Sequence, residues 1–237
     1  MRWRTLALAV ALIALLLLAV AGPGTRAGAW PFTTGLRMLQ WAAYAGIAGV
    51  ALALLALAIP SARRQGVGVP LLALVIAGGV LLVPFSFLQR ARRVPPIHDI
   101  TTDTQDPPAF VSVLPLRAHA LNPAAYGGDS VAAQQRAAYP DIRPLHVDVP
   151  PGIAYERALR AARETGWDVV GTDSAAGRIE ATATTRWFGF KDDVVVRVRP
   201  DAGGSRVDVR SVSRVGKSDV GTNAARVRAY LARLTSA

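Results

Sequence analysis

Hydrophobic and polar positions divide this chain near residue 93. Before that point apolar residues run almost without interruption, and after it they alternate with polar residues over short stretches. The apolar runs at about residues 6–21, 39–59 and 69–88 contain no Asp, Glu, Lys, Arg or His. The second and third runs have the ~20 residues that a helix needs to cross about 30 Å of hydrocarbon. We therefore predict a membrane anchor with three transmembrane helices in residues 1–93.

The first apolar run is the shortest and has two interpretations. Small residues follow it, so a cleaved signal peptide and a retained first helix both fit its composition. We favour the retained helix because two further spans follow directly. Arg2 and Arg4 precede the run, and such flanking charges predict a cytoplasmic N-terminus. Three spans, or two after cleavage, then put the remainder of the chain outside the cytoplasm.

Residues 94–149 are rich in Pro and Asp and show little periodicity. Pairs of prolines such as Pro95-Pro96 disfavour helix and indicate extended chain. Only Val131–Tyr139 has the pattern of a short helix. We therefore predict an extended segment that lies over the following domain.

From residue 150 to the end, the pattern predicts a compact α+β domain. A helix begins at Pro151 and ends before Gly166, and a second helix begins near Ser218 or Asp219 and ends at Leu234. Between them, apolar and polar residues alternate with the two-residue period of half-buried strands; the strands are 167–172, 178–185, 194–199 and 205–214. Short turns make these strands antiparallel. Because one face of the sheet is polar, helices can pack only on the other face. The expected fold is a four-stranded antiparallel sheet packed against two helices, in a helix-grip-like arrangement.

The net charge of +11 suggests a nucleic-acid partner, but its distribution excludes that class. Residues 1–93 hold nine Arg and no acidic residue, whereas residues 94–237 hold eighteen basic and sixteen acidic residues. The basic excess therefore flanks the apolar runs, where arginines interact with lipid headgroups. We predict the lipid bilayer as a partner and no nucleic acid. The chain has no cysteine, which excludes disulfides and thiol nucleophiles.

A cluster of cations and hydroxyls at the end of the last strand is the first candidate site. It precedes a helix N-terminus, whose free amides favour anions, and comprises Arg210, Ser213, Arg214 and Lys217, joined by Lys191 from the neighbouring loop. Nearby aspartates favour pairing of these cations within the protein. The alternative is an anionic ligand such as a lipid headgroup.

Three aromatic residues, Trp187, Phe188 and Phe190, surround Gly189 between two predicted strands. They either cap the core of the sheet or form an exposed apolar lip for a lipid or a protein partner. Both interpretations remain open.

The segment that begins at His98 carries the third candidate. His98, Asp99 and Asp103 could hold a divalent cation for metal-assisted hydrolysis, although their spacing equally suits Asx turns in an exposed linker. The Gly216-Lys217-Ser218 run lacks the earlier glycine of a phosphate-binding loop. We therefore predict no catalytic residues, no metal ligands and no cofactor, and keep a metal-assisted hydrolase as the alternative function.

Two stretches resemble a known family. TTRWFGFKDDVVVRVRP at Thr184–Pro200 and RSVSRVGKSDVGTNAARVRAYL at Arg210–Leu231 are similar to the bacterial and plastid family known as domain of unknown function fourteen-ninety-nine. The likeness covers roughly residues 97 to 235, and its most specific part is the Arg-Ser-x-Ser-Arg-x-Gly run. At His98–Asp103 this chain departs from the Asn-Cys-Val-Ser-Ser run of many members.

The resemblance implies a membrane- or envelope-associated domain without an established activity. We therefore expect a non-enzymatic protein of the bacterial inner membrane whose soluble domain is periplasmic. That domain is expected to bind an envelope protein, a lipid headgroup or another anionic ligand.

Overall fold

The computed structural model describes residues 2–235. They form two compact units. The first extends to Gln89 and includes Arg186–Gly189, and the second comprises Arg90–Thr185 and the chain from Phe190 onward. Each unit is described by itself.

The first unit is helical. It contains α1 (Arg2–Arg26), α2 (Phe32–Ala58), the short α3 (Pro60–Arg63) and α4 (Gly68–Arg93), which continues into the second unit. Three stretches, Trp3–Arg26, Phe32–Ala58 and Gly68–Arg93, are long and apolar enough to cross a membrane. This confirms the three predicted apolar helices, and each is longer than its apolar run because the flanking residues continue the helix.

Small residues lie where the long helices meet. Ala11 of α1, Ala53 of α2 and Ala77 of α4 are buried in one apolar cluster. A Cβ atom added to Gly49 would lie 3.0 Å from the Cβ atom of Ala77 and 3.6 Å from the Cα atom of Ala11. The helices therefore approach closely through backbone and methyl contacts, the van der Waals packing on which helix association in lipid depends.

The second unit is an α+β domain. Its strands are β1 (Asp99–Thr101), β2 (Leu145–Val147), β3 (Asp168–Asp173), β4 (Arg178–Thr184), β5 (Lys191–Asp201) and β6 (Gly204–Ser213). Its helices are α5 (Gly128–Ala138), α6 (Pro151–Glu164), α7 (Thr222–Thr235) and a 3₁₀ helix at Leu114–Arg117.

The antiparallel sheet has six strands rather than the four predicted. Their order is β1-β6-β5-β4-β3, and β2 pairs with β6 beside β1. The two additional strands belong to the segment 94–149, which was predicted to be extended. Each has only three residues, too few to show a two-residue period.

One face of the sheet packs against α6 and α7 as predicted. Val196 of β5, Val209 of β6 and Val227 of α7 are among the buried residues of this core. Trp167 stacks on Tyr230 with ring centroids 4.7 Å apart, and the Tyr230 hydroxyl donates a hydrogen bond to the Ala158 carbonyl oxygen at 2.7 Å. The hydroxyl is therefore satisfied within the core.

The opposite face of the sheet carries the charged residues of the strands, yet it is also buried. The segment from Thr102 to Tyr126 covers it, and Phe110 and Val113 of this segment pack with Val195 and Val212. The backbone amides of Val111 and Val113 donate hydrogen bonds to the Glu180 carboxylate at 3.0 Å. The polar face of the sheet is therefore an ionic interior rather than a solvated surface.

Strand β1 has a hydrogen-bonding partner on each side. Its residues pair with β6 from Asp99 opposite Val212 to Thr101 opposite Arg210. On the other side, the Thr101 amide donates to Gln135 Oε1 at 2.9 Å, and Gln135 Nε2 donates to the Thr101 carbonyl oxygen at 2.6 Å. The side chain of Gln135 on α5 thus replaces the neighbouring strand that β1 lacks there.

Candidate functional site

Arg210, one of the predicted anion-binding residues, lies inside the domain. Its Nε and Nη2 donate to the two carboxylate oxygens of Asp99 at 2.9 and 2.7 Å. The guanidinium carbon lies 5.0 Å from the ring centroid of Phe110 and 5.4 Å from that of Tyr126. Burial, reinforced by the nearby charge of Asp99, raises the pKa of the Tyr126 phenol to about 12. Arg210 is therefore bound by a carboxylate and enclosed by two rings.

Asp193, at the start of β5, is shared by two arginines. Its carboxylate accepts hydrogen bonds from Arg117 at 2.6 Å, from Arg214 at 2.8 and 2.9 Å, and from the Thr182 hydroxyl at 2.8 Å. Burial by itself would raise the pKa of Asp193, but the hydrogen bonds outweigh it and lower the pKa below the ordinary value of 3.8. Arg214, the second predicted anion-binding arginine, is thus engaged by this carboxylate.

A third carboxylate on the covered face, Asp208, is also saturated by cations. It is fully buried and accepts from Arg197 at 3.0 Å, from Arg199 at 3.1 Å and from Arg206 at 3.0 Å. The strands alternate arginine and carboxylate across this face, so each buried charge meets an opposite one.

The remaining polar members of the predicted cluster differ in their surroundings. Ser213 is buried, and its Oγ accepts a hydrogen bond from Asn223 Nδ2 at 3.0 Å. Lys191 and Lys217 are exposed, and they are the only two lysines of the chain. The Arg214 amide donates to the Lys191 carbonyl oxygen at 3.0 Å, so both lysines lie where β5 begins and β6 ends. We call this the basic end of the sheet.

Trp187 and Phe188 belong to the first unit, which includes Arg186–Gly189. Phe188 is buried and Trp187 is half-buried. Their rings meet edge to face with centroids 5.1 Å apart. A role of these two aromatic residues in ligand binding stays a prediction.

The segment predicted for metal-assisted chemistry has other bonding partners. Asp99 binds Arg210, and Asp103 Oδ1 accepts from the amides of Gln105 and Asp106 at 3.0 Å, which is an Asx turn. His98 Nδ1 lies 3.3 Å from the Lys217 carbonyl oxygen. Within residues 2–235 no three metal-binding side chains cluster.

A polar cleft of about 670 Å³ opens beside Asp103. Its lining includes two arginines, but Arg206 pairs with Asp103 and Arg136 donates to the Thr104 hydroxyl at 3.1 Å. Of the charged groups that line the cleft, Arg206 and Asp103 thus pair with each other.

The sequence interpretation missed the loop that closes the basic end. Arg117 Nη2 donates to the Asn122 carbonyl oxygen at 2.9 Å, and Asn122 Nδ2 donates to the carbonyl oxygens of Ser213 and Gly216 at 3.0 and 2.9 Å. Leu114, Leu116 and Leu121 of this loop are exposed. The apolar run VSVLPLRAHAL inside a Pro- and Asp-rich segment was the feature of the sequence that could have revealed it.

The fold and the site together define a class of protein: an α+β domain with an ionic interior, carried by three helices able to span a membrane. Residues 99–234 match the family model described as "Protein of unknown function (DUF1499)". This match covers more than half of the chain, and the chain therefore belongs to that family, as the resemblance of its motifs indicated. No curated protein matches the chain.

Proposed function

We propose that this protein is a membrane-anchored binding protein whose α+β domain binds an anionic group without catalysis. The ligand chemistry is a phosphate-bearing anion, presented either by a lipid headgroup or in solution. The proposal places the anchor in the inner membrane of a bacterial cell and the domain in the periplasm. Arg2 and Arg4 before the first span, followed by three spans, support this orientation.

The observation that carries the proposal is the contrast between arginines and lysines at the basic end. Arg117, Arg210 and Arg214 are held by buried carboxylates, so their charges are neutralised within the domain. Lys191 and Lys217 extend into solvent and form no ion pair among the described residues. A lysine is a mobile point charge that binds phosphate well. The two lysines are therefore the cations available to an external anion.

The hydrogen bonds and ion pairs that the acidic residues form within the domain support a role without catalysis. Asp99 is bidentate to a buried arginine, and Asp103 holds a turn. A general base must be able to take a proton, and a metal ligand must direct its oxygen atoms to the metal. The oxygen atoms of Asp99 instead accept from Arg210, and those of Asp103 accept from backbone amides and pair with Arg206.

Titration calorimetry on the full chain in a non-ionic detergent tests the proposal. The probes are the water-soluble dibutyryl phosphatidylglycerol, its zwitterionic counterpart dibutyryl phosphatidylcholine, whose net charge is zero, and inorganic phosphate. We expect the double variant Lys191→Ala/Lys217→Ala to bind the anionic probes about tenfold or more weakly, since each lysine contributes roughly 1 kcal/mol to such attraction. Binding of phosphatidylglycerol alone identifies a headgroup, and equal binding of phosphate identifies a free anion.

The matched control is Arg160→Ala/Arg163→Ala, which removes the same charge from exposed positions on α6. Its dissociation constants should stay within about twofold of the unmodified protein, because the effect of a surface charge decays over a Debye length. Equal losses in both double variants, or no binding of any anionic probe, would contradict the proposal.

A further inference from the structure

We propose that Leu114, Leu116 and Leu121, here called the leucine patch, insert into the interfacial region of the membrane that holds the anchor. This inference goes beyond anion binding, since it assigns a second surface with different chemistry. It shares with the proposed function the membrane anchoring and the two lysines of the basic end.

The leucine patch is exposed, whereas Arg117 and Asn122 of the same loop point inward. Leu114, Leu116 and Leu121 have 45%, 52% and 70% of their surface exposed. Arg117, between them, is buried and reaches Asp193 at 2.6 Å. Asn122 follows Leu121 and is hydrogen-bonded to Ser213 and Gly216. The loop therefore buries its charge and presents its aliphatic side chains, the reverse of an ordinary surface loop.

The contacts of Arg117 and Asn122 also fix where the leucine patch lies. Asp193 is near the start of β5, and it is opposite Val212 near the end of β6. Ser213 ends β6, and Gly216 follows it. The loop that carries the leucine patch is thus attached at the basic end of the sheet.

The chain enters the domain at this same end. Strand β1 is antiparallel to β6, with Asp99 opposite Val212, and the Ser213 amide donates to the His98 carbonyl oxygen at 3.0 Å. Helix α4 ends at Arg93, and the chain between Arg93 and Asp99 spans at most roughly 20 Å. The end of the sheet that carries the leucine patch is therefore the end that is tethered to the last span.

Because this tether is short, the bilayer is the partner that contacts the leucine patch. Restricting the domain to within roughly 20 Å of the span raises the effective concentration of lipid at the patch, so that even weak insertion is populated. Leucines buried at the boundary of headgroups and acyl chains, beside cations that meet the headgroups, are the usual composition of an interfacial surface. Lys191 and Lys217 supply those cations at the same end.

The absence of cysteine allows a direct test on the full chain in liposomes. Leu116→Cys and Leu121→Cys are each labelled with an environment-sensitive NBD probe, and Ala202→Cys in the β5–β6 turn at the opposite end of the sheet is the control. The liposomes are phosphatidylcholine, with or without lipid that carries a nitroxide near the headgroup. We expect blue-shifted emission at residues 116 and 121, quenched at least about twofold more strongly than at residue 202.

A further variant tests whether the leucines themselves cause insertion. Adding Leu114→Glu and Leu121→Glu to the probe at residue 116 should remove most of the quenching, because charged residues oppose insertion into hydrocarbon. Water-like emission at residues 116 and 121 would overturn the inference. Blue-shifted emission without nitroxide quenching would also overturn it, since a protein would then cover the patch. Because these bilayers carry no net charge, quenching at the patch would persist even if the anion-binding proposal failed.

Discussion

At the scale of single residues, Asp193 is a buried carboxylate that accepts four hydrogen bonds. It joins Arg117 of the covering segment, Thr182 of β4 and Arg214 after β6, so its side chain connects three separate parts of the chain. A buried ion pair contributes little when compared with apolar residues, but the loss of one member leaves charges without compensation. Asp193 is therefore a position where a single substitution should have a large effect.

We predict that Asp193→Ala lowers the free energy of unfolding of the domain by about 3–5 kcal/mol, because it leaves two arginines facing each other without a carboxylate. The measurement is the urea concentration at which half of the domain is unfolded, determined by pulse proteolysis of the full chain in nanodiscs. Asp141→Ala is the control, since Asp141 pairs with Arg228 at the surface and such pairs contribute about 1 kcal/mol or less. Similar midpoints for the two variants would show that Asp193 does not hold the segment in place.

The lowered pKa of Asp193 predicts a pH dependence of stability. A carboxyl group whose pKa is lower in the folded state stabilises the fold above its unfolded pKa, and that contribution is lost as the pH falls below about 3.8. Asp219 acts in the opposite direction, because burial raises its pKa and stability is lost as the pH rises above 3.8. We expect Asp193→Asn to flatten the loss of stability in acid, whereas Asp168→Asn, at an exposed position, should keep it. The check is the melting temperature of both variants between about pH 2 and pH 5; parallel profiles would exclude this role for Asp193.

At the scale of elements, the alternation of apolar and polar residues predicted the longer strands and not the shortest ones. Strands β4, β5 and β6 are long enough to show a two-residue period, and helix α6 has clear ends, whereas α7 begins at Thr222 and not at the predicted Ser218 or Asp219. Strand β1 has only the three residues Asp99, Ile100 and Thr101, all buried, and their alternation is too short to reveal a strand. Its place in the sheet depends on partners distant in sequence, chiefly β6 and Gln135, which no local pattern contains.

The support of β1 by α5 gives an element-scale prediction. Gln135→Leu keeps the apolar packing of α5 but leaves the buried amide and carbonyl of Thr101 without their partners. Each unsatisfied group costs about 1–3 kcal/mol, and hydrogen exchange of the β1 amides should accelerate accordingly. Gln134→Leu alters the neighbouring, partly exposed glutamine and should leave exchange in β1 unchanged. Unaltered protection of β1 in Gln135→Leu would mean that this side chain is not needed as a strand partner.

The candidate site was only partly predictable from the sequence. The run from Arg210 to Lys217 correctly drew attention to the end of β6, but residue types cannot say which cations meet a carboxylate and which meet water. That choice is made by alternation on the covered face, where Arg210 and Arg214 point inward, and by the turn that leaves Lys217 outside. The leucine patch was missed because a Pro-rich segment was treated as a featureless cover.

At the scale of the whole molecule, hydropathy was the most informative property of the sequence, because the membrane requirement of about 20 apolar residues per helix is so strict.

The side of the membrane on which the domain lies is also a prediction at this scale. Ala202 lies in the exposed turn between β5 and β6, and the chain has no other thiol to react. Ala202→Cys should therefore be labelled in intact cells by a membrane-impermeant maleimide if the domain is periplasmic.

Glu156→Cys, on the exposed face of α6, provides a second labelling position in the same domain and should give the same answer. Protection of both cysteines until the cells are lysed would place the domain in the cytoplasm. The orientation inferred from Arg2 and Arg4 would then be wrong.

The pairing of β1 with β6 has a mechanical consequence. A load that reaches the domain through the residues after Arg93 acts along β1. Force along a strand loads all hydrogen bonds of its ladder at the same time. The force is therefore resisted together, and not by one bond after another, by the bonds to β6, the contacts to Gln135 and the two bonds between Asp99 and Arg210. Strand β1, with only three residues, is thus reinforced at the point where the domain would bear tension.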